Sequence, residues 1–578
     1  MKTTTPFFKI AAVFALCIVL NMISFLPSSA STKVITRVSS EIGGQVFVFF
    51  NQDYYAAGDT AFFQVWVSDQ RKSQNQSQLI HIDLFGKDGS KVFEQNFKVK
   101  NGSGNSQLIF PASMQPGVYD LYIYLNEDKM PSYHSNLTLS GEKEFVLEAT
   151  AKTDSLSPMK ALPNHVEVNG TQKEYLTRSK ITGSIKISDE KGMPLKGTYS
   201  VRVVNKKVIM KGLGNKQSSL QSSTAVSGTS KITTPYITWE GTIFRKGTRE
   251  PVPDSTHVQV FLQKSIMGYD FYTLTNGHFK IQALYNFYEE DKLFSIAEYK
   301  GLEVPIDLVI DQPRAPIPLQ SSSITSSDKI DWYYEYVKKR KEIIQPFYFF
   351  NSVSADIKKE KDPNDLFEEE FRGMDVSVRM TDFVIFPSME EVIKEVIPAL
   401  FVRRKNGEVK VGMNLSISLD NSISSQNTSL IIIDGAMTKD YNYLLNLDPA
   451  EVITIKLIRK INKLSELGLV GKDGIVLVST KNAKIAKEIL AAYPDVKGLT
   501  KPLPYSVHSH NSNDQLRVPD LRSCLYWSPG VLLDSSGGSF SFYASDDLGE
   551  YLIQVMGLTS EGNPFYAEKE FNVVRPLK

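Results

Sequence analysis

The chain has 578 residues, room for several domains, and its 42% hydrophobic and 22% charged residues are the balance of an ordinary globular protein. Lys and Arg total 65 against 64 Asp and Glu, a net charge of +1, so neither nucleic acid nor an anionic membrane surface is indicated as the main partner. Aromatic residues at 11% suit β-rich modules built on aromatic cross-strand pairs.

The first thirty residues read as a secretory signal (1–30). Lys2 and Lys9 precede the apolar run Ile10–Phe25, and Ser28-Ser29-Ala30 offers a cleavage site. Pro27 and the small residues after it argue against a retained anchor. Cys17 lies inside the apolar run behind Leu16, so a lipoprotein site is not expected. Cleavage after Ala30 leaves Cys524 as the sole cysteine, and the folds must rest on core burial without an intramolecular disulfide. No later stretch approaches about twenty apolar residues, so no transmembrane segment is expected after signal cleavage.

Residues 41–145 alternate strands and turns. Gln45–Phe50, Thr60–Val67, Ile80–Phe85 and Val118–Tyr124 are strands; Asp53–Asp59, Lys87-Asp88-Gly89 and Gln115-Pro116-Gly117 are turns. The spacing predicts an antiparallel sandwich. The ordered landmarks Tyr55-x-x-Gly58-Asp59-Thr60, Asp83-Leu84 with Asp88-Gly89, and Pro116-Gly117-x-Tyr119 resemble α2-macroglobulin-type β-sandwiches. A second sandwich of that kind is expected over 150–228, through Ile181–Ile187, the turn Asp189–Pro194 and Gly197–Val203. Ser218–Ser230 is a Ser/Thr-rich linker.

Over 235–312, Trp239-Glu-Gly241, Pro251-Val-Pro253, Val258–Leu262 and Asn276-Gly277-His-Phe279-Lys-Ile281 resemble the carboxypeptidase regulatory-like domain, a transthyretin-like sandwich. Asn276 stands where that family more often has Asp. Residues 325–375 form a helical or irregular connector. Its helix Asp331–Ile344 carries Trp332, Tyr336 and Ile343 on one face and ends at Pro346. Lys358–Arg372 reads as a solvated loop or short helix.

Ser388-Met-Glu-Glu391 is a capping box, followed at helical spacing by Met389, Val392, Ile393, Val396, Ile397 and Leu400. Leu430–Ile433 runs into Asp434-Gly435, Val452–Ile458 is another apolar strand, and Gly471-Lys-Asp-Gly474 leads into Ile475–Thr480-Lys481. This pattern over 383–482 resembles the plug domain of TonB-dependent outer-membrane receptors. The resemblance implies a small α+β unit, and it implies a bacterial protein. The stretch from 483 to 578 is too short for the receptor's barrel, so the chain is not expected to be the transporter itself. Lys484–Tyr493 is a short helix, 502–519 a linker, and 520–578 a C-terminal β-sandwich segment with Cys524-Leu-Tyr-Trp527 and Tyr551–Gly557. The fold class is mainly β: tandem immunoglobulin-like, macroglobulin-type sandwiches with one small α+β plug-like domain.

The Cys-Gly-Glu-Gln thioester of protease-trapping macroglobulins is absent, and Cys524 reads as a packed residue. His508-Ser-His510 offers too few ligands for a zinc site, and no His-Glu-x-x-His or Gly-x-Ser-x-Gly occurs. Asp434 reads as a turn residue rather than a strand-end catalytic carboxylate. Asp546-Asp547 reads as a turn rather than a calcium loop. Sequons such as Asn136-Leu-Thr138 carry no weight in a bacterial protein. No catalytic, cofactor-binding or metal residue is therefore assigned, and no cofactor is expected. The expected function is a non-enzymatic exported binding or adaptor protein of the periplasm or outer-membrane surface, with envelope proteins as partners. An accessory component of TonB-dependent uptake, beside an outer-membrane receptor, is the alternative. An enzyme with an unrecognised site is a third class.

Overall fold

The computed structural model describes residues 45–68, 77–125, 131–141, 165–189, 191–209, 235–311, 331–349, 363–371, 373–405, 408–418, 421–506, 510, 518–533 and 537–576. The molecule is mainly β, in tandem sheets with one α+β unit, as its composition and turn spacing suggest. The signal segment, Cys17, the Ser218–Ser230 linker and His508 lie outside the described residues.

The first module has strands β1 (Gln45–Phe50), β2 (Tyr54–Ala56), β3 (Thr60–Ser68), β4 (Ser77–Phe85), β5 (Lys91–Lys100), β6 (Ser103–Ile109), β7 (Gly117–Leu125) and β8 (Tyr133–Ser140). Their order is β1-β3-β6-β5-β4-β7-β8-β2. β5 and β6 pair only at Lys100 with Ser103, next to the turn that joins them. Beyond that pair the strands part, and the ribbon becomes two facing layers, β1-β3-β6 and β5-β4-β7-β8-β2. Alternation sends Ile80, Ile82 and Leu84 of β4 inward to meet Val46, Val48, Phe63, Val65, Phe97, Leu121 and Ile123. His81, Asp83 and Phe85 take the outer face.

The second sandwich corrects the expected division of the chain. Segments 150–228 and 520–578 are not separate sandwiches: the strand Gly197–Asn205 is paired on one side by Cys524–Leu533 and on the other by Gly549–Thr559. Lys180–Ser188 pairs with Gly538–Tyr543. One core holds Ile181, Ile185, Tyr199, Val201 and Val203 together with Leu525, Phe540, Phe542, Tyr551 and Phe571. Neither segment has a complete core of its own.

The module over 235–311 has sheets around Ile237–Arg245 and His257–Leu262, with Trp239, Phe279, Phe287 and Leu293 inside. Helix α1 (Asp331–Phe349) runs on through Pro346 instead of ending there. Its packed face follows expectation in part: Tyr336 packs on the core of the seam, and the Trp332 side chain lies outside the described residues. Tyr333 is buried and Ile343 is half exposed, because Tyr333 enters the seam between the first two sandwiches. The Tyr333 ring lies tilted against Tyr54 with centroids 5.8 Å apart, and Gln52 Nε2 donates to its hydroxyl at 3.2 Å.

The α+β unit begins earlier than the expected 383. Helix α2 (Pro363–Glu370) and the strand Val376–Arg379, expected in or beside the connector, belong to it. Its sheet order is Val376–Arg379, Val452–Ile458, Ile475–Thr480, Leu430–Ile433, Ala436–Thr438, with Leu430–Ile433 parallel to Ile475–Thr480. Helix α3 (Met389–Val396) is capped by Ser388, whose Oγ accepts from Glu391 N at 3.3 Å. Met389, Val392 and Ile393 of α3 join that sheet's core, as do Ala486 and Ile489 of helix α4 (Lys484–Ala491). Phe261, Phe294 and Ile296 of the preceding module share the same core, so the unit does not stand free.

Candidate functional site: the cleft between β5 and β6

The split between β5 and β6 is the feature that the sequence pattern does not reveal. One stretch of it is filled by the chain itself. Asp495–Lys497 pairs antiparallel with Glu290–Lys292, and the segment then crosses into the split as a strap. Leu499 lies parallel to β5 at Asn96, and Thr500 N donates to Asn96 O at 2.6 Å. On the opposite wall, Gln107 Nε2 donates to Lys501 O at 2.9 Å and Gln107 Oε1 accepts from Leu503 N at 3.0 Å. Leu499 N also donates to Phe287 O at 2.8 Å, so the strap ties the first sandwich to the 235–311 module. Gly498 is needed there: a Cβ would meet Glu289 O and the Phe287 ring, each at 2.7 Å. Part of the expected 502–519 linker is thus fixed in place, and Tyr505 OH donates to Cys524 O at 2.8 Å.

A polar cluster flanks the strap on the outer face of β4 and β5. The hairpin turn at Asp88-Gly89 sets a register that puts Asp83 opposite Glu94 and His81 opposite Asn96. His81 Nδ1 lies 2.8 Å from Asn96 Oδ1 and Nε2 lies 3.0 Å from Asp83 Oδ1. Both neighbours are acceptors, so a ring with both nitrogens protonated satisfies them. Burial works against that charge, but the bonds to Asp83 and Asn96 outweigh it and raise the His81 pKa above the ordinary histidine value. His81, Asp83 and Glu94 place ligand atoms within 4.8 Å of one another. The Lys91 ammonium already sits on both carboxylates, 3.5 Å from Asp83 and in contact with Glu94. The cluster is charge-balanced without a metal. Its signal in the sequence is His81-x-Asp83 on one strand face before a two-sided hairpin. Asn96 Nδ2 reaches the strap at Lys497 O, 3.4 Å away.

Beyond the strap the cleft is open. A cavity of about 280 Å³ is lined by Leu84, Val92, Phe93, Ile109, Phe110 and Met114, among others. Val92 is 45% and Ile109 51% exposed at its rim.

The residues weighed in the sequence have structural positions. Asp434 (φ +46°) and Gly435 (φ +84°) form the tight turn between Leu430–Ile433 and Ala436–Thr438. Asp434 accepts from Thr480 N at 2.7 Å and from Thr480 Oγ1 at 2.5 Å, while Asn364 of α2 accepts from Gly435 N at 3.0 Å. Asp546 takes a two-pronged bond from Arg178, at 2.7 and 2.5 Å. Burial pushes the Asp546 carboxyl up, and Arg178 overrides it and holds it below the usual range. Asp547 receives Arg340 of α1 and the Tyr336 hydroxyl, the latter at 3.2 Å. Both aspartates thus face guanidinium groups. Cys524 is buried, its Sγ 3.4 Å from Tyr526 O, and burial raises its thiol pKa. His510 sits 3.2 Å from Asp520 and edge-on to Tyr543. Asn136 and Thr138 lie within β8.

No family model matches the chain, and no curated protein matches it. Among solved structures, the native conformation of Escherichia coli alpha-2-macroglobulin is similar at 10% identity, covering 95% of this chain and 41% of that one, with a TM-score of 0.25. A Salmonella alpha-2-macroglobulin mutant overlaps at 8% identity, covering 95% and 41%, with a TM-score of 0.24. The Escherichia coli adhesin FdeC overlaps at 11% identity, covering 46% and 62%, with a TM-score of 0.13. The chain spans about two fifths of the macroglobulin chains' length. Overlaps this loose decide nothing about activity.

Proposed function

We propose that this chain is a non-enzymatic binding or adaptor protein of the bacterial cell envelope, exported to the periplasm or the outer-membrane surface. The observation that carries this reading is how its strongest ionic groups are used. Arg202, 4% exposed, donates to Gln554 Oε1 at 2.6 Å, Asp53 Oδ1 at 2.8 Å and Phe50 O at 2.9 Å, bolting the second sandwich to the first. Arg340 fastens α1 to Asp547, and Lys439 fastens the α+β unit to Glu303 at 2.6 Å. Charges of this kind hold a frame, and the frame presents surfaces. The resemblances in sequence to macroglobulin-type, carboxypeptidase regulatory-like and plug-like modules support an envelope setting. Among the described residues no helix is long and apolar enough to cross a membrane.

A second reading is an accessory role in TonB-dependent nutrient uptake, beside a receptor. The exposed run on the α+β unit favours it: Val384 is 78% and Ile385 82% exposed, a place for contact with another envelope protein. Crosslinking of the tagged full chain in intact cells, followed by mass spectrometry of the envelope fraction, tests both. Discrete envelope proteins captured reproducibly support the binding role, and an outer-membrane receptor or TonB among them supports the second reading. Recovery of the chain alone would overturn both.

A further inference from the structure

We propose that the open length of the β5–β6 cleft takes up an extended segment of a partner protein, laid along β5 with one bulky apolar side chain in the cavity. The proposal deepens the binding reading by naming the face and the kind of ligand.

The strap is the internal precedent. Asn96 O, which accepts from Thr500 N, points away from β4 into the split. Alternation along an antiparallel pair then turns the N–H and C=O of Glu94 to the same side, since Glu94 and Asn96 differ by one strand period. Among the described residues β6 offers Glu94 no ladder, because its pairing with β5 stops at Ser103. The strap does not reach it either. Ahead of Leu499 it turns off to join Glu290–Lys292. The edge at Val92–Glu94 is therefore the continuation of a groove that already holds extended backbone. A register shift between Leu84 and Phe85 leaves Val92 bulged at its end.

The cavity supplies the second half of the recognition. Leu84, Phe93, Phe110 and Met114 line its wall, and Val92 and Ile109 stand at its mouth. About 280 Å³ suits one or two side chains of Phe or Leu size and is small for a cofactor. Nearby charges are already balanced, Lys91 and a protonated His81 against Asp83 and Glu94, so the site selects for an uncharged strand. Backbone bonds along an edge with a side-chain pocket beside them form a strand-addition site.

The test uses the full chain and a fluorescent acetyl-Thr-Val-Thr-Phe-Thr-Val-amide peptide, read by anisotropy. A second peptide carries N-methyl groups on alternate amides. The wild type should bind the first peptide, and N-methylation should weaken binding at least tenfold, because the edge bonds are lost. Val92→Lys with Ile109→Lys, at exposed positions that leave the core intact, should weaken it at least tenfold at unchanged melting temperature. Hydrogen exchange at the Glu94 amide should slow in the complex. The proposal is overturned by no binding at millimolar peptide, or by equal binding of the N-methylated peptide or of the double variant. It is also overturned if the double substitution dissociates a self-associated form, since the occupant would then be a second copy. Such a failure leaves crosslinked envelope partners in place. Failure of the binding reading removes them.

Discussion

At the scale of single residues, two side chains look reactive and are held by their surroundings. Cys524 is a buried thiol whose pKa is raised by burial, beside the hydroxyl-bearing Tyr505. A thiol reagent should label it only after unfolding. Cys524→Ser should cost about 1 kcal/mol, since a hydroxyl can still reach Tyr526 O. Rapid labelling of the native protein would show the burial to be wrong. His81 is the titrating counterpart. Its folded pKa is raised, so its contribution is complete below the unfolded value near about 6.5 and is lost as pH climbs through the folded value. Asp83, Glu94 and Lys91 face it from β4 and β5, and Tyr124 from β7 lies 5.9 Å away. His81→Gln should destabilise the protein by about 1 kcal/mol at pH 5.5, with the gap closing by pH 9. Urea denaturation at the two pH values measures it, and a gap that does not change with pH would sink the assignment.

At the scale of elements, the keyed turn of the α+β unit makes the clearest prediction. Asp434→Ala removes the acceptor for both Thr480 bonds and should cost about 2 kcal/mol in chemical denaturation. Asp434→Asn keeps one acceptor oxygen and the left-handed backbone, and should recover about half of the loss. Equal stability of all the forms would mean that Gly435 alone makes the turn. This turn is legible in the sequence, as are the Ser388 cap and the hairpin at Asp88-Gly89, because each is encoded within a few neighbouring residues. The union of Gly197–Asn205 with Gly549–Thr559 is not. Strand pattern states which face is apolar, never which distant strand will cover the edge; Arg202 and Gln554 meet across 352 residues. The open cleft is illegible for the same reason, since it exists only where two strands that look like a hairpin part after one pair. The run of α1 through Pro346 goes against the usual helix stop.

At the scale of the molecule, the modules are coupled by buried polar bolts and shared cores. Arg202→Met takes away bonds to both sandwiches and leaves Gln554 buried without its donor. We expect a loss of about 3 kcal/mol and a larger radius of gyration in solution scattering, as the first sandwich swings on its neighbour. An unchanged scattering curve would mean that the apolar seam of Phe49, Trp66, Trp527 and Met556 holds alone. Ile433→Asp, by contrast, places a carboxylate in a core that includes Phe261, Phe294 and Ile296. Limited proteolysis should then open both 363–493 and 235–311 while sparing 45–141. Cutting confined to 383–482 would show that the shared core is dispensable.

The interrupted second sandwich bears on how the chain is born. Gly197–Asn205 is flanked on both sides by strands that lie at or beyond Cys524, so neither of its edges can be covered until about 320 further residues have been made. At roughly 5–20 residues per second, that wait is on the order of tens of seconds. For that interval an apolar strand with two naked edges is exposed to its neighbours on the same polysome, an invitation to intermolecular pairing. A holding chaperone that covers nascent β-strands should therefore matter more for this protein's yield than for a chain whose sandwiches close one after another.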